Sequence, residues 1–220
     1  MKKSLIIALL VTTAFTANAQ RDTLSLNRDW MFRLGASEPS ITVSGATEAQ
    51  GWKKINVPHD FQIEQPWVAP DASERPDNSD AGANIKSRLS SRGFKEMGEG
   101  WYVKTITPST DLKGKRLVLN FEGIMYTGDV YLNGQRIGGT NYGYVGFEAD
   151  ITRQLRYDTL NVVAVYANTG PVNGSRWYTG GGLFRDVHLQ VQNPTHIARH
   201  GVYITTPEVS QQQATVQLQV

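Results

Sequence analysis

The chain has 220 residues, with 22 Lys and Arg against 20 Asp and Glu, 40% hydrophobic residues and no cysteine. The missing cysteine excludes disulfides, thiolate metal sites, cysteine nucleophiles and a lipidated cysteine, so stability has to come from a packed core, which a chain of this length can bury. Basic residues are dispersed among acids and form no basic stripe, so nucleic acid is not an expected partner.

In chain order, "MKKSLIIALLVTTAFTANAQ" opens with two lysines, continues through an apolar stretch from Leu5 to Val11, and ends on small residues. It reads as a signal peptide over 1–19, cleaved before Gln20, with an apolar core too short to span a bilayer. Its removal takes away Lys2 and Lys3 and brings basic and acidic residues into balance. The expected mature chain is exported, periplasmic or secreted, without membrane insertion.

Beyond it, short apolar runs rich in β-branched and aromatic residues alternate with Gly, Asn, Asp and Pro, and no long segment holds a helical period. An all-β fold is expected. Leu24–Phe32 reads as a first strand, Lys54–Val57 as a second ending at Pro58, and Trp101–Ile106 as a third ending before Pro108. Residues 62–98, small and polar, read as a long surface insertion of the kind that is functional or mobile. "RLVLNFEGI" alternates Leu117, Leu119 and Phe121 with Val118, Asn120 and Glu122, as a strand with one face in a core does.

Asn133-Gly134, between Val130–Leu132 and Gln135–Ile137, predicts a type I′ hairpin, whose central residues need positive φ. Asp150 is placed to cap a short turn or helix start. "LNVVAVYAN" and "LFRDVHLQV" supply two more strands. "GVYITTPEVSQQQATVQLQV" predicts a strand, a Pro-containing turn and an alternating strand over 214–220, the beginning of a second β domain.

Four ordered stretches, "VPHDFQIEQPW", "GEGWYVKTI", "FEGIMYTGDVYLNGQRIGGTNYGYVGFEADIT" and "SRWYTGGGLFRDVHL", resemble the N-terminal sugar-binding domain of glycoside hydrolase family 2, β-galactosidase-like members of Bacteroidetes type. The resemblance implies a jelly-roll-like, galactose-binding-domain-like β-sandwich over 20–194 and the start of an immunoglobulin-like β-sandwich over 195–220. It also implies a downstream barrel carrying two catalytic glutamates. A barrel takes about 250 residues, and the Asn-Glu pair of the family's acid/base motif does not occur in the sequence. The catalytic barrel is therefore expected outside this chain, which alone is expected to be inactive, and no cofactor is expected.

The strongest binding candidate is the run "SRWYTGGGLFRDV". Arg176, Trp177 and Tyr178 combine flat apolar rings with a planar multi-donor cation, the chemistry that suits pyranose faces and hydroxyls, and Gly180–Gly182 permit a tight turn before a returning strand at Leu183. The same aromatics could plug the sandwich end. By the resemblance, this loop reaches toward the barrel's sugar subsite, with Arg176 where some members carry an aspartate.

Other candidates have simpler readings. The carboxylate pairs Asp60/Glu64, Glu96/Glu99 and Asp129/Asp186 suit turn capping, a solvated loop and strand ends better than glycoside hydrolysis. His59-Asp60 is expected to tie a turn after Pro58. His196 and His200 would share a helix face as zinc ligands do, but Pro194 and "GVYIT" favour an extended linker. Tyr142, Tyr144 and Phe147 form either a sugar platform or a packed strand, the latter preferred. The expected partner is a carbohydrate, a β-galactoside or related glycan. The alternative is a stand-alone carbohydrate-binding module.

Overall fold

The computed structural model describes residues 21–35, 51–68, 93–170 and 178–220. The segment read as a signal peptide, most of the 62–98 insertion, and Arg176 and Trp177 lie outside the described residues. Among the described residues, twelve strands carry the fold.

In the compact unit Arg21–Pro194, two antiparallel sheets face each other. One has the order β1–β10–β5–β8, from β1 (Arg21–Ser25), β5 (Arg116–Phe121), β8 (Phe147–Asp150) and β10 (Val187–Gln192). The other has the order β3–β2–β4–β9–β6–β7, from β2 (Trp30–Leu34), β3 (Lys53–Ile55), β4 (Glu99–Ile106), β6 (Thr127–Leu132), β7 (Gln135–Thr140) and β9 (Asn161–Asn168). This is the expected jelly-roll-like sandwich. Its core interleaves Trp30, Phe32, Tyr102, Val130, Leu132, Val163 and Val165 from the larger sheet with Leu117, Leu119, Phe121, Leu189 and Val191 from the smaller. Burial of these side chains is the main driving force for bringing the sheets together.

The first predicted strand is in fact two, each in a different sheet. Ser25 Oγ accepts from the Asn27 amide at 3.3 Å and Asn56 Oδ1 from the Asp29 amide at 3.0 Å, with Asp29 at φ 60°. This polar turn carries the chain across the sandwich edge. β5 also departs from expectation, since Val118 and Asn120 are buried as well as the core-facing Leu117, Leu119 and Phe121. β5 is an interior strand of its sheet, between β10 and β8.

The Asn133-Gly134 hairpin forms as its residues dictate, with φ 51° and 83° and Leu132 opposite Gln135. Asp150 Oδ1 accepts from the Thr152 amide at 3.0 Å and starts a turn rather than a helix. Of the run 142–147, only Phe147 behaves as a packed strand residue, stacked on Phe121 at 5.2 Å. Tyr142 and Tyr144 stand on the β7–β8 turn.

Residues Thr195–Val220 belong to the other compact unit. There β11 (Tyr203–Val209) pairs antiparallel with β12 (Ala214–Gln219). Pro207 lies inside β11, not in the turn, at a register shift between Thr205 and Glu208. A proline donates no ladder hydrogen bond, so a bulge is where a strand accepts one. The turn is Ser210–Gln213, closed by the Ser210 amide on the Gln213 carbonyl at 2.8 Å. His196 and His200 precede this hairpin in non-helical chain.

Candidate functional site: a glycine-stitched end of the sandwich

Three chain segments converge at one end of the Arg21–Pro194 unit. The His59 amide donates to the Leu183 carbonyl at 2.7 Å and the Phe61 amide to the Gly181 carbonyl at 3.1 Å. Gly182 and Met125 exchange backbone hydrogen bonds at 2.8 and 2.9 Å. The triglycine is thus clamped between the "VPHDF" segment and the chain entering β6. Gly180 and Gly182 have φ 76° and 98°, and a β-carbon on Gly182 would overlap the Tyr102 hydroxyl. On Gly181 it would come within 2.6 Å of Thr169 Cγ2.

Asp60 holds the stitch together. Its Oδ1 accepts from the amides of Gln62 at 3.0 Å and Gly181 at 2.8 Å, and its Oδ2 accepts from the Tyr178 hydroxyl at 2.7 Å. The turn-tying role expected of Asp60 is what its hydrogen bonds perform, but they reach across 118 residues of sequence to Tyr178. Burial, then the Asp60 carboxylate, pushes the Tyr178 phenol far above its ordinary value, so it stays protonated and keeps donating. Next to it, Thr179 Oγ1 donates to the Tyr126 hydroxyl at 2.6 Å.

Beneath lies a second pair. Tyr102 is completely buried, and its hydroxyl sits 2.9 Å from His59 Nδ1. Which of the two donates follows the histidine tautomer, and the other ring nitrogen, Nε2, lies 4.0 Å from Glu64 Oε1. Burial lowers the His59 pKa, partly offset by Glu64, and keeps the ring neutral. Burial likewise raises Tyr102 well above its ordinary value.

Two of the segments outside the described residues have their ends here. Tyr178 follows 171–177 directly, and a β-carbon on Gly93, which follows 69–92, would touch the Tyr178 ring at 3.3 Å. The base of the 62–98 segment is tied rather than loose. Trp67 and Lys95 form an antiparallel bridge, the Val68 amide donates to the Phe94 carbonyl at 2.7 Å, and Lys95 Nζ lies 4.0 Å from the Trp67 ring centre. Gln62, at the start of the predicted insertion, is fully buried. An open groove of about 640 Å³ beside these legs is lined by Glu64, Gln65, Glu96 and Glu99 among others.

The carboxylates weighed from sequence are mostly committed to the scaffold. Glu64 pairs with Lys53 at 2.8 Å, Asp129 with Arg136 at 2.7 Å, Glu99 accepts from Asn168 at 3.1 Å and Asp186 from Asn27 at 2.9 Å. Asp129 and Asp186 lie on different sheets' elements, on β6 and just before β10. The returning strand begins at Val187, not Leu183. Leu183 is instead buried in the core, and residues 183–186 bend before the ladder resumes. Tyr102, Tyr126 and Thr179 were not visible as site residues in the sequence, because their roles depend on partners from distant strands.

Residues 90–177 match the glycosyl hydrolase 2 galactose-binding domain-like family. The β-galactosidase BoGH2A of Bacteroides ovatus is 32% identical over 90% of this chain and 21% of its own length. A β-glucuronidase of Bacteroides fragilis is 32% identical over 94% of this chain and 27% of its own. The crystal structure of a glycosyl hydrolase family 2 member from Bacteroides cellulosilyticus superposes with a TM-score of 0.71 and 30% identity, over 89% of this chain and 24% of that one. The chain thus spans about a fifth to a quarter of the length of these relatives. With this match and a galactose-binding-like sandwich, the chain belongs to glycoside hydrolase family 2 and matches the N-terminal domain of that family's β-galactosidases and β-glucuronidases.

Proposed function

We propose that this chain is the glycan-facing domain of an exported enzyme that hydrolyses β-glycosidic bonds by retention, with β-galactosides or related glycans as substrates. In this reading residues 1–19 are a signal peptide, 20–194 the sandwich domain, and 195–220 the start of an immunoglobulin-like domain leading to a catalytic barrel. Arg176 and Trp177 face the sugar and Tyr178 anchors their loop. The observation that carries the reading is the Tyr178–Asp60 hydrogen bond, which fixes the residue directly after Arg176-Trp177 to the clamped triglycine. A recognition loop on a rigid leg keeps its donors positioned, which is what a sugar contact requires.

The test uses the full-length enzyme. Arg176→Ala should lower kcat/KM on an aryl β-galactoside by about tenfold, the cost of one polar contact, with unchanged thermal unfolding. Unchanged kinetics on both aryl β-galactoside and aryl β-glucuronide would remove Arg176 from the sugar site.

A stand-alone carbohydrate-binding module is the second reading. It is favoured by Tyr142 and Tyr144, exposed on the β7–β8 turn with ring centres 5.7 Å apart. Saturable galactoside binding by the mature chain, lost in Tyr142→Ala, would support it over the first.

A further inference from the structure

Just beyond the triglycine segment, Glu122, Asp186 and His188 form a cluster of three potential ligand groups. β10 runs antiparallel to β5 with His188 opposite Asn120, and the Glu122 amide donates to the Asp186 carbonyl at 3.0 Å, one step past both strand ends. Residues two apart on a strand share a face, and cross-strand neighbours approach within about 5.5 Å. Asp186 and His188 therefore project from one face, beside Glu122 across the ladder.

One ligand atom from each of the three lies within 4.8 Å of the others, and His188 Nδ1 is 3.6 Å from Glu122 Oε1. Bonds of about 2.1 Å to a shared ion set neighbouring ligand atoms roughly 3 to 3.5 Å apart. The exposed Glu122 side chain can close the remainder by rotation. Asp186 is already oriented from outside the group. Asn27 Nδ2 donates to its Oδ1 at 2.9 Å, while Asn27 Oδ1 accepts from the Val187 amide at 3.0 Å. Such an outer hydrogen bond, fixed in turn to backbone, is how proteins hold a metal-ligating carboxylate. Among the described residues this is the one group of three with ligand atoms so close.

We propose that Glu122, Asp186 and His188 bind one divalent transition-metal ion, Zn²⁺ or Mn²⁺, which clips the end of β5 to the start of β10. The donor set decides the metal class. One imidazole with two carboxylates suits Zn²⁺ and Mn²⁺, whereas Ca²⁺ and Mg²⁺ prefer oxygen alone. The clip sits four residues beyond Gly182, where the chain bends before the ladder resumes. It would thereby stiffen the foot of the triglycine segment.

The experiment takes the chain without an affinity tag, strips it with chelator, and titrates ZnCl₂ and MnCl₂ by calorimetry alongside thermal unfolding. One equivalent should bind with a rise in Tm, while MgCl₂ and CaCl₂ at the same concentration leave Tm unchanged. His188→Gln and the exposed Glu122→Gln should each weaken binding by at least about tenfold with unchanged circular dichroism, as loss of one ligand of three does. A His196→Gln/His200→Gln double variant should bind as the parent does. No saturable uptake of Zn²⁺ or Mn²⁺, uptake unaltered in Glu122→Gln, loss only in the double variant, or Ca²⁺ binding as tight as Zn²⁺ would each overturn the assignment.

Discussion

At Gly182 two constraints coincide, a φ of 98° and a β-carbon position already occupied by the Tyr102 hydroxyl. Gly182→Ala should destabilise the fold by about 3 kcal/mol or more, since backbone strain adds to overpacking against a buried phenol. Urea unfolding read by tryptophan fluorescence checks this, and a loss below about 1 kcal/mol would mean that Tyr102 moves aside freely. His59 gives a pH prediction with a definite sign. Its folded pKa is depressed below the ordinary 6.5, so the unfolded state takes up a proton that the folded state refuses. Its contribution is fully present above pH 6.5 and lost as pH falls through the folded value. Tyr102 and Tyr178 are shifted upward from 10.0, so their contribution is lost as pH rises beyond that ordinary value. Unfolding free energy should therefore be flattest between about pH 6.5 and 10, and His59→Gln should flatten the acid side between pH 7 and 5. An unchanged acid slope in that variant would assign the titration elsewhere.

Among the elements, the β6–β7 hairpin is the one most completely written in its own residues. Asn133 supplies the positive φ, and its side chain adds long-range bonds: Oδ1 accepts from the Val162 amide at 3.0 Å and Nδ2 donates to Asn161 Oδ1 at 3.0 Å. Asn133→Ala should cost about 2–3 kcal/mol, more than the turn alone explains, because two buried-side hydrogen bonds go with the left-handed preference. Denaturant unfolding against Gly134→Ala, which lacks those bonds, separates the two contributions. A cost equal to that of Gly134→Ala would leave the turn as the whole effect. The division of the first predicted strand shows the converse. Leu24–Phe32 reads as one strand, yet Asn27 through its side chain and Asp29 through its positive φ carry the chain into the other sheet. Residues that turn only because distant Asn56 and Asp186 receive them leave no local mark.

For the whole molecule, the ordered motifs were enough to read the all-β class, the family and the sandwich. Two features of the sequence carry that information: β-period patterning selects paired sheets, and turn residues such as Asn133-Gly134 fix local φ without help from elsewhere. The triglycine could be read as a tight turn for the same reason. The sequence could not show that Asp60 and Tyr178 share a hydrogen bond, that Gly182 gives way to Tyr102, or that Glu122 meets His188. Each of these depends on strand register between segments roughly 65 to 120 residues apart, and register is set by packing of the two sheet faces together. What the sequence determined by itself was therefore local: which residues alternate, which turn, and which chemistry they bring. The tertiary structure decided which of those residues meet, because hydrophobic burial is non-directional and only the assembled sandwich gives the polar groups their partners.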